Sequence, residues 1–281
     1  MKVSGFTFCR NAVRYDYPLV ESIRSVLPIV DEFIVNVGRS DDGTLDLVHS
    51  IGDPKITILE SVWDESLRQG GLIYSQQTNI ALARCTGDWA LYLQADEVIH
   101  ENDRPRILEA MHAHLDNRMV KGLLFRYLHF MGDYWSVNPW FYHKAVRIIR
   151  NDGEVESCGD AVGFHLKATR QYLQNGPKEW LASSGARVFH YGWVKDPKTM
   201  LAKKREQTTV YHGDTPPSSE ARLLEREGAY FEDYDILKDF RGSHPAVMRN
   251  RLGASSRLKP HRNRWLTWRF YRAILQRGFR G

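Results

Sequence analysis

An α/β fold, a mainly parallel mixed sheet flanked by helices, is what this sequence predicts on three observations. Short apolar runs of strand length alternate three times with segments whose apolar residues recur at helical spacing. A fourth run, residues 89–93 within GDWALYLQADEVIHE, is almost wholly apolar, as in a strand covered on both faces. No internal repeat and no long linker divides the chain. Charges begin abruptly after the fourth run, at Asp96 and Glu97. In open α/β sheets ligands gather at the carboxyl ends of strands, so a bound metal or phosphate belongs there, although such carboxylates also serve as turn formers and caps.

Residues 3–8 make the first strand, and Cys9, Arg10 and Asn11 leave it in a loop ending near Asp16, the expected N-cap of a helix with Pro18 in its first turn. Val20, Ile23, Val26 and Leu27 supply that helix with an apolar face. Residues 32–37 form a second strand, followed by the acidic turn GRSDDGT and a short helix through Leu45, Leu47, Val48 and Ile51 that Gly52 ends. A third strand at 56–59 leads through Gly70 and Gly71 into a helix carrying Ile73, Ile80, Leu82 and Ala83. Repeats of this kind imply right-handed crossovers.

After the acidic lip, Asp103 and Pro105 start a helix running to about His114, and residues 123–130 and 146–149 read as further strands. Between those strands Tyr134, Trp135, Trp140, Phe141 and Tyr142 crowd into a turn-like stretch with Gly132 and Pro139. A sugar-stacking wall and plain core packing account for them equally well. ESCGDAVG, residues 156–163, is an acidic loop punctuated by glycine, and residues 187–191 are a last strand that includes His190. Asp196 and Pro197 then open a helix in N-cap and first-turn order, carrying Lys198, Lys203, Lys204 and Arg205. A proline turn at Pro216 and Pro217, a helical patch from Glu220 and a basic, aromatic end with Trp265, Trp268, Phe270 and Tyr271 complete the chain.

The 281 residues are 42% hydrophobic with a formal charge of +5, ordinary for a globular protein, and the basic excess collects after Arg241. Such a tail suits a surface or homodimer contact, or a peripheral one with anionic lipid; no nucleic-acid-binding motif accompanies it. Cys9, Cys85 and Cys158 lie far apart without CxxC spacing, which fits a reducing cytoplasm. No leader peptide and no apolar run of membrane-spanning length is expected. Dinucleotide dehydrogenases and P-loop enzymes are excluded, since neither GxGxxG nor GxxxxGK[ST] follows a predicted strand.

Arg10 and Asn11 after the first strand, Ser40 to Thr44 after the second, Gln77 to Asn79 on the third helix and Gln94, Ala95, Asp96, Glu97 after the fourth strand stand in a telling order. With these marks the chain resembles a GT-A fold glycosyltransferase of the family 2 type over most of residues 1–212. The resemblance implies a Rossmann-like sheet with a nucleotide-sugar-binding half at 1–101, an acceptor-binding half at 102–212 and a mainly helical basic extension at 213–281. It implies donor contacts from Arg10, Asn11, Ser40, Asp42, Gln77, Asn79, Gln94, Ala95 and Lys203, and acceptor contacts from Trp135, Trp140 and Tyr142. Two departures stand out. Val37 to Arg39 occupy the place of the acidic pair that reads the base, and Gln94 replaces the first acid of the DxD motif.

In such enzymes a divalent ion, Mn²⁺ or Mg²⁺, neutralises the departing nucleotide diphosphate. The resemblance points to Asp96 and, at the end of the last strand, His190 as metal ligands, with an imidazole favouring Mn²⁺. Transfer to an acceptor hydroxyl with inversion calls for a carboxylate base opposite the leaving group. Asp160 is the first choice and Glu156 the reserve. The acceptor class implied is a carbohydrate or lipid-linked sugar in cell-surface polysaccharide or glycolipid assembly. The rival enzyme reading, a sugar-phosphate nucleotidylyltransferase, lacks its Gly-rich loop in CRNAVRYD. A rival of another class is a lapsed enzyme, marked by Gln94, that serves as a carbohydrate-binding or scaffolding subunit.

Overall fold

The computed structural model describes residues 1–67, 69–213, 215, 217–225, 227, 237–253, 271 and 275. Of the basic aromatic end, Trp265, Trp268 and Phe270 lie outside the described residues, as does Pro216. Strands β1 (Val3–Cys9), β2 (Glu32–Gly38) and β3 (Ile56–Ser61) alternate with helices α1 (Leu19–Val26), α2 (Thr44–His49) and α3 (Leu72–Leu82), then β4 (Trp89–Tyr92) follows. These four strands run parallel in the order β3-β2-β1-β4. The fold class expected from the sequence is the one observed.

Side-chain alternation along β4 explains its unbroken apolar character. Trp89 and Leu91 enter one core, shared with Leu19, Ile23 and Val26 of α1, while Ala90 and Tyr92 enter a second core on the opposite face with Ala81 and Leu82 of α3. All four β4 residues are fully buried. Two-sided burial leaves no position for a polar residue until the strand ends.

Past β4, a short strand β5 (Glu97–Ile99), helix α4 (Arg104–Ala113) and strands β6 (Gly122–Met131), β7 (Ser136–Val137) and β8 (Lys144–Arg150) follow. β8 lies antiparallel between β4 and β6, so the sheet turns mixed at its centre. β9 (Val155–Cys158) and β10 (Gly163–Leu166) form a separate hairpin, and the long β11 (Leu181–Trp193) pairs with β6 in parallel and with β5 in antiparallel fashion. Helices α5 (Pro197–His212) and α6 (Ser218–Leu224), strand β12 (Lys238–Asp239) and helix α7 (Arg249–Leu252) complete the described elements. Ten strands among the described residues belong to the main sheet.

The structure corrects several expectations. Residues 156–163 are not a plain loop, because Val155–Cys158 and Gly163–Leu166 pair across a turn at 159–162. Asp16 does not cap α1. Its backbone is left-handed (φ 47°), the cap position falls to Pro18, and its carboxylate accepts from Arg251 at 2.7 Å. Asp103 does hold the N-cap position of α4, as expected, though without a cap bond; its Oδ2 accepts from the Arg187 amide at 3.0 Å, tying α4 to β11. Asp196, by contrast, caps α5 by accepting from the Lys198 and Thr199 amides at 3.0 Å each.

Only part of the extension at 213–281, expected to be mainly helical, is among the described residues. Lys238–Asp239 extends the sheet beside Ser136–Val137, and Met248 is buried with Phe130, Phe189 and Tyr191. Arg251 then bridges Asp16 and Glu21. Among the described residues no helix is long and apolar enough to cross a membrane.

Candidate active site at the end of β4

Asp96 and Glu97 are adjacent, yet the backbone sends them opposite ways. Glu97 is fully buried, and Arg147 of β8, itself fully buried, donates to both its oxygens at 2.8 Å. Tyr127 adds a hydroxyl at 2.8 Å, and Glu97 Oε2 accepts from the Gln94 amide at 3.1 Å. This carboxylate pins the 94–97 turn. Asp96 is thereby turned into a cavity of about 380 Å³ at the carboxyl end of the parallel strands, within the size range of small-molecule sites.

The β5–β11 pairing sets His190 opposite Glu97, and the Tyr191 amide donates to Asp96 O at 2.8 Å. His190 Nε2 therefore lies 3.7 Å from Asp96 Oδ1, while Lys203 Nζ donates to Asp96 Oδ2 at 3.1 Å and to Gly192 O at 3.0 Å. Burial alone would raise the Asp96 carboxyl, but Lys203, followed by His190 and Lys195, holds it well below the usual carboxylate range. Burial also lowers His190, against the pull of Asp96. It brings Lys195 and Lys204 down to about 7, the charge on Lys203 adding to the effect. An arriving polyanion would stabilise the charged form of both lysines.

Helix α5 forms the cavity's cationic lid. Lys203, Glu206, Gln207 and Tyr211 fall three or four residues apart on one face and all line the space. Lys204 also lines it, over the Trp193 ring at 4.1 Å, whereas Arg205 is exposed and donates to Leu224 O. Opposite stand Phe8, Trp63 and Tyr74, with Arg10 over Trp63 at 5.0 Å and paired to Glu65 at 2.9 Å. Arg10 Nε, Trp63 Nε1 and Glu206 Oε2 are buried without a hydrogen-bond partner among the described residues. Left unpaired, each such group costs roughly 1–3 kcal/mol.

Of the expected donor residues, Arg10, Gln94, Ala95 and Lys203 line the cavity, while Asn11, Ser40, Asp42, Gln77 and Asn79 do not. The latter hold neighbouring parts of the fold instead. Ser40 accepts from the Asn11 amide, Asp42 accepts from the Arg14 and Thr44 amides, and Gln77 accepts from Asn36 and Ser61 beneath β2 and β3. Asn79 clamps Ser157 by both its amide and its carbonyl, at 2.8 and 3.0 Å, and so stations the segment that carries Asp160. Polar residues of this kind read alike in sequence whether they hold a ligand or a neighbouring loop.

Asp160 reaches the cavity, where its Oδ2 accepts from the Tyr211 hydroxyl at 2.7 Å. Gly71, at φ 72°, packs beneath it, since a Cβ there would meet Asp160 Cβ at 2.8 Å. Glu156 lies outside the cavity and accepts from His165 and Arg170 at 2.8 Å each, so the reserve base is not at the site. The aromatic turn divides as well. Phe141 and Tyr142 line the cavity, Trp135 packs against His244 away from it, and Trp140 is not among the lining residues. Trp63, Tyr74, His129, Glu206 and Tyr211 were not singled out from the sequence. The three-four spacing on α5 is the one signal that would have found Glu206 and Tyr211.

A divalent ion fits Asp96 and His190 on the evidence of Gly192. A Cβ at that residue would lie 2.5 Å from Asp96 Oδ2 and 2.8 Å from His190 Nε2. Its absence leaves space within reach of both donors. Among the described residues no group of three or more His, Cys, Asp or Glu side chains is arranged to hold a metal ion. Two protein donors suit an ion that takes its other ligands from phosphates and water. Gly192→Ala is expected to weaken Mn²⁺ binding by about tenfold or more, since the pair must separate to admit the methyl group. Calorimetric titration checks this, and an unchanged affinity would remove the cradle from the site.

No family model and no curated protein matches the chain. Among solved structures it is similar to S. aureus TarS, at 14% identity over 80% of this chain and 42% of that one, with a TM-score of 0.42. A shorter TarS structure, residues 1–349 in complex with UDP-GlcNAc, gives 15% identity over 80% of this chain and 70% of that one, with a TM-score of 0.41. The M. tuberculosis glucosyl-3-phosphoglycerate synthase in complex with Mn²⁺, UDP and phosphoglyceric acid gives 18% identity over 46% of this chain and 43% of that one, with a TM-score of 0.32. The chain thus spans less than half of the TarS chain in the first of these structures.

Proposed function

We propose that this protein transfers a sugar from a nucleotide diphosphate sugar to an acceptor hydroxyl, with inversion, in cell-surface polysaccharide or glycolipid assembly on the cytoplasmic side. The observation that carries the reading is the placement of one deeply acidic carboxylate, Asp96, beside His190 and Lys203 in the cavity where the parallel strands end. Mn²⁺ or Mg²⁺, when bound, neutralises charge on the leaving diphosphate. Asp96 and His190 would hold it, with Gln94 offering only a neutral amide from the same turn.

The chain's own cations complete the work. Lys203 and Lys204 on α5 face the diphosphate, and their buried setting strengthens each electrostatic contact relative to water. Phe141, Tyr142 and Trp193 offer apolar faces for a sugar ring on the acceptor side. Asp160 is the carboxylate placed to take the acceptor proton, its second oxygen held by Tyr211. Asp160→Asn is expected to lower kcat by about 10²–10⁴ with donor affinity retained. An unchanged rate would exclude Asp160 as the base. Calorimetry with UDP, GDP, CMP and dTDP sugars in the presence of Mn²⁺ tests the reading as a whole, and binding by none of them would end it.

A further inference from the structure

Behind His190 lies a second histidine, His129 of β6, set opposite it by the parallel pairing of β6 with β11. His129 is buried, with its ring packed against Tyr127, Phe141 and Tyr142. Those surroundings disfavour an imidazolium. Two contacts decide where the protons are.

His129 Nε2 lies 2.8 Å from the Tyr142 carbonyl oxygen, which only accepts, so the His129 proton is on Nε2. Its Nδ1 therefore offers a lone pair. That atom lies 3.2 Å from His190 Nδ1, so the bond between the rings is donated by His190 Nδ1–H. A neutral His190 protonated on Nδ1 is bare on Nε2, the atom 3.7 Å from Asp96 Oδ1. A lone pair and a carboxylate oxygen facing each other repel unless a cation lies between them.

We propose that His129 is a positioning residue that, held by the Tyr142 carbonyl, locks His190 in the tautomer whose bare Nε2 ligates a divalent ion. The inference rests on the ion-binding part of the function proposed above. It also joins the ion site to the aromatic turn, because Tyr142 supplies the anchoring carbonyl from its backbone and lines the cavity with its ring. Partners of this kind on metal-binding histidines set both tautomer and ring orientation, and their loss typically costs about 10–100-fold in metal affinity.

The test uses the full chain labelled with ¹⁵N in histidine. Long-range proton–nitrogen correlation on the metal-free protein is expected to show His190 protonated at Nδ1 and bare at Nε2. His129→Phe keeps an aromatic ring but removes the acceptor; it is expected to give His190 mixed tautomers and to weaken Mn²⁺ binding by about 10–100-fold. His129→Asn, whose amide oxygen takes the Nδ1 place, is expected to recover part of that loss. A His190 protonated at Nε2 in the parent protein, or equal Mn²⁺ affinity in all three chains, would overturn the inference. A parent chain that binds no Mn²⁺ yet shows a bare His190 Nε2 supports the tautomer lock and strikes the ion-binding reading instead.

Discussion

Asp96→Ala is expected to abolish ion-dependent donor binding, weakening the affinity for a nucleotide diphosphate with Mn²⁺ by about 100-fold or more, near 3 kcal/mol. Lys203, His190 and Lys195 all act on this carboxylate. Lys203 donates to one oxygen at 3.1 Å, and His190 faces the other at 3.7 Å. Removing the carboxylate takes from His190 its acidic partner at the ion and leaves Lys203 with Gly192 O alone. Calorimetry with and without Mn²⁺ separates the effects. Donor affinity that falls only when Mn²⁺ is present assigns the loss to the ion, and unchanged affinity in both conditions would take Asp96 out of the site.

Arg147→Ala is expected to be the most destabilising single change, by about 3–5 kcal/mol, because it strands a buried carboxylate. Arg147 and Glu97 are both fully buried and joined by two hydrogen bonds of 2.8 Å. Burial works against the guanidinium's charge, yet Glu97 outweighs it and keeps the group firmly protonated. After the substitution Glu97 would retain only the Tyr127 hydroxyl and the Gln94 amide. Exchanging both partners for apolar residues of similar volume should cost much less, since no charge is then left alone. Urea denaturation of the single and double variants measures the difference, and equal stabilities would refute the buried-pair account. The double variant should nonetheless lose donor affinity, because the 94–97 turn that aims Asp96 would lose its anchor.

The contrast between these two carboxylates shows what was legible in the sequence. Periodicity was enough for the β1-β2-β3-β4 half, where two-sided burial leaves near-continuous apolar runs and local turn chemistry marks the ends. It also placed Asp96 at the lip. It could not separate Asp96 from Glu97, because which of two neighbours faces the cavity depends on a long-range pairing with Arg147. An arginine, Arg147, set between the apolar Val146 and Ile148 in the middle of KAVRIIR was the available sign of a buried partner.

Shorter elements escaped for a related reason. Glu97–Ile99 and Ser136–Val137 are too brief to show a period, and each exists only through its partner strand. The turn expected to supply acceptor contacts split because Phe141 and Tyr142 line the cavity while Tyr134 and Trp135 pack in the core with Phe130, which composition does not record. Asn79 and Gln77 sat on the right helix and yet hold the Ser157 backbone and the Asn36 and Ser61 side chains, not the cavity, a distinction of side-chain direction.

Anomalous diffraction from a crystal soaked with Mn²⁺ and a nucleotide diphosphate tests the central claim most directly. The account predicts a manganese peak about 2.1 Å from an Asp96 carboxylate oxygen, with His190 Nε2 and the diphosphate completing its surroundings. Nucleotide bound in the cavity with no manganese beside Asp96, or manganese held elsewhere on the chain, would contradict it.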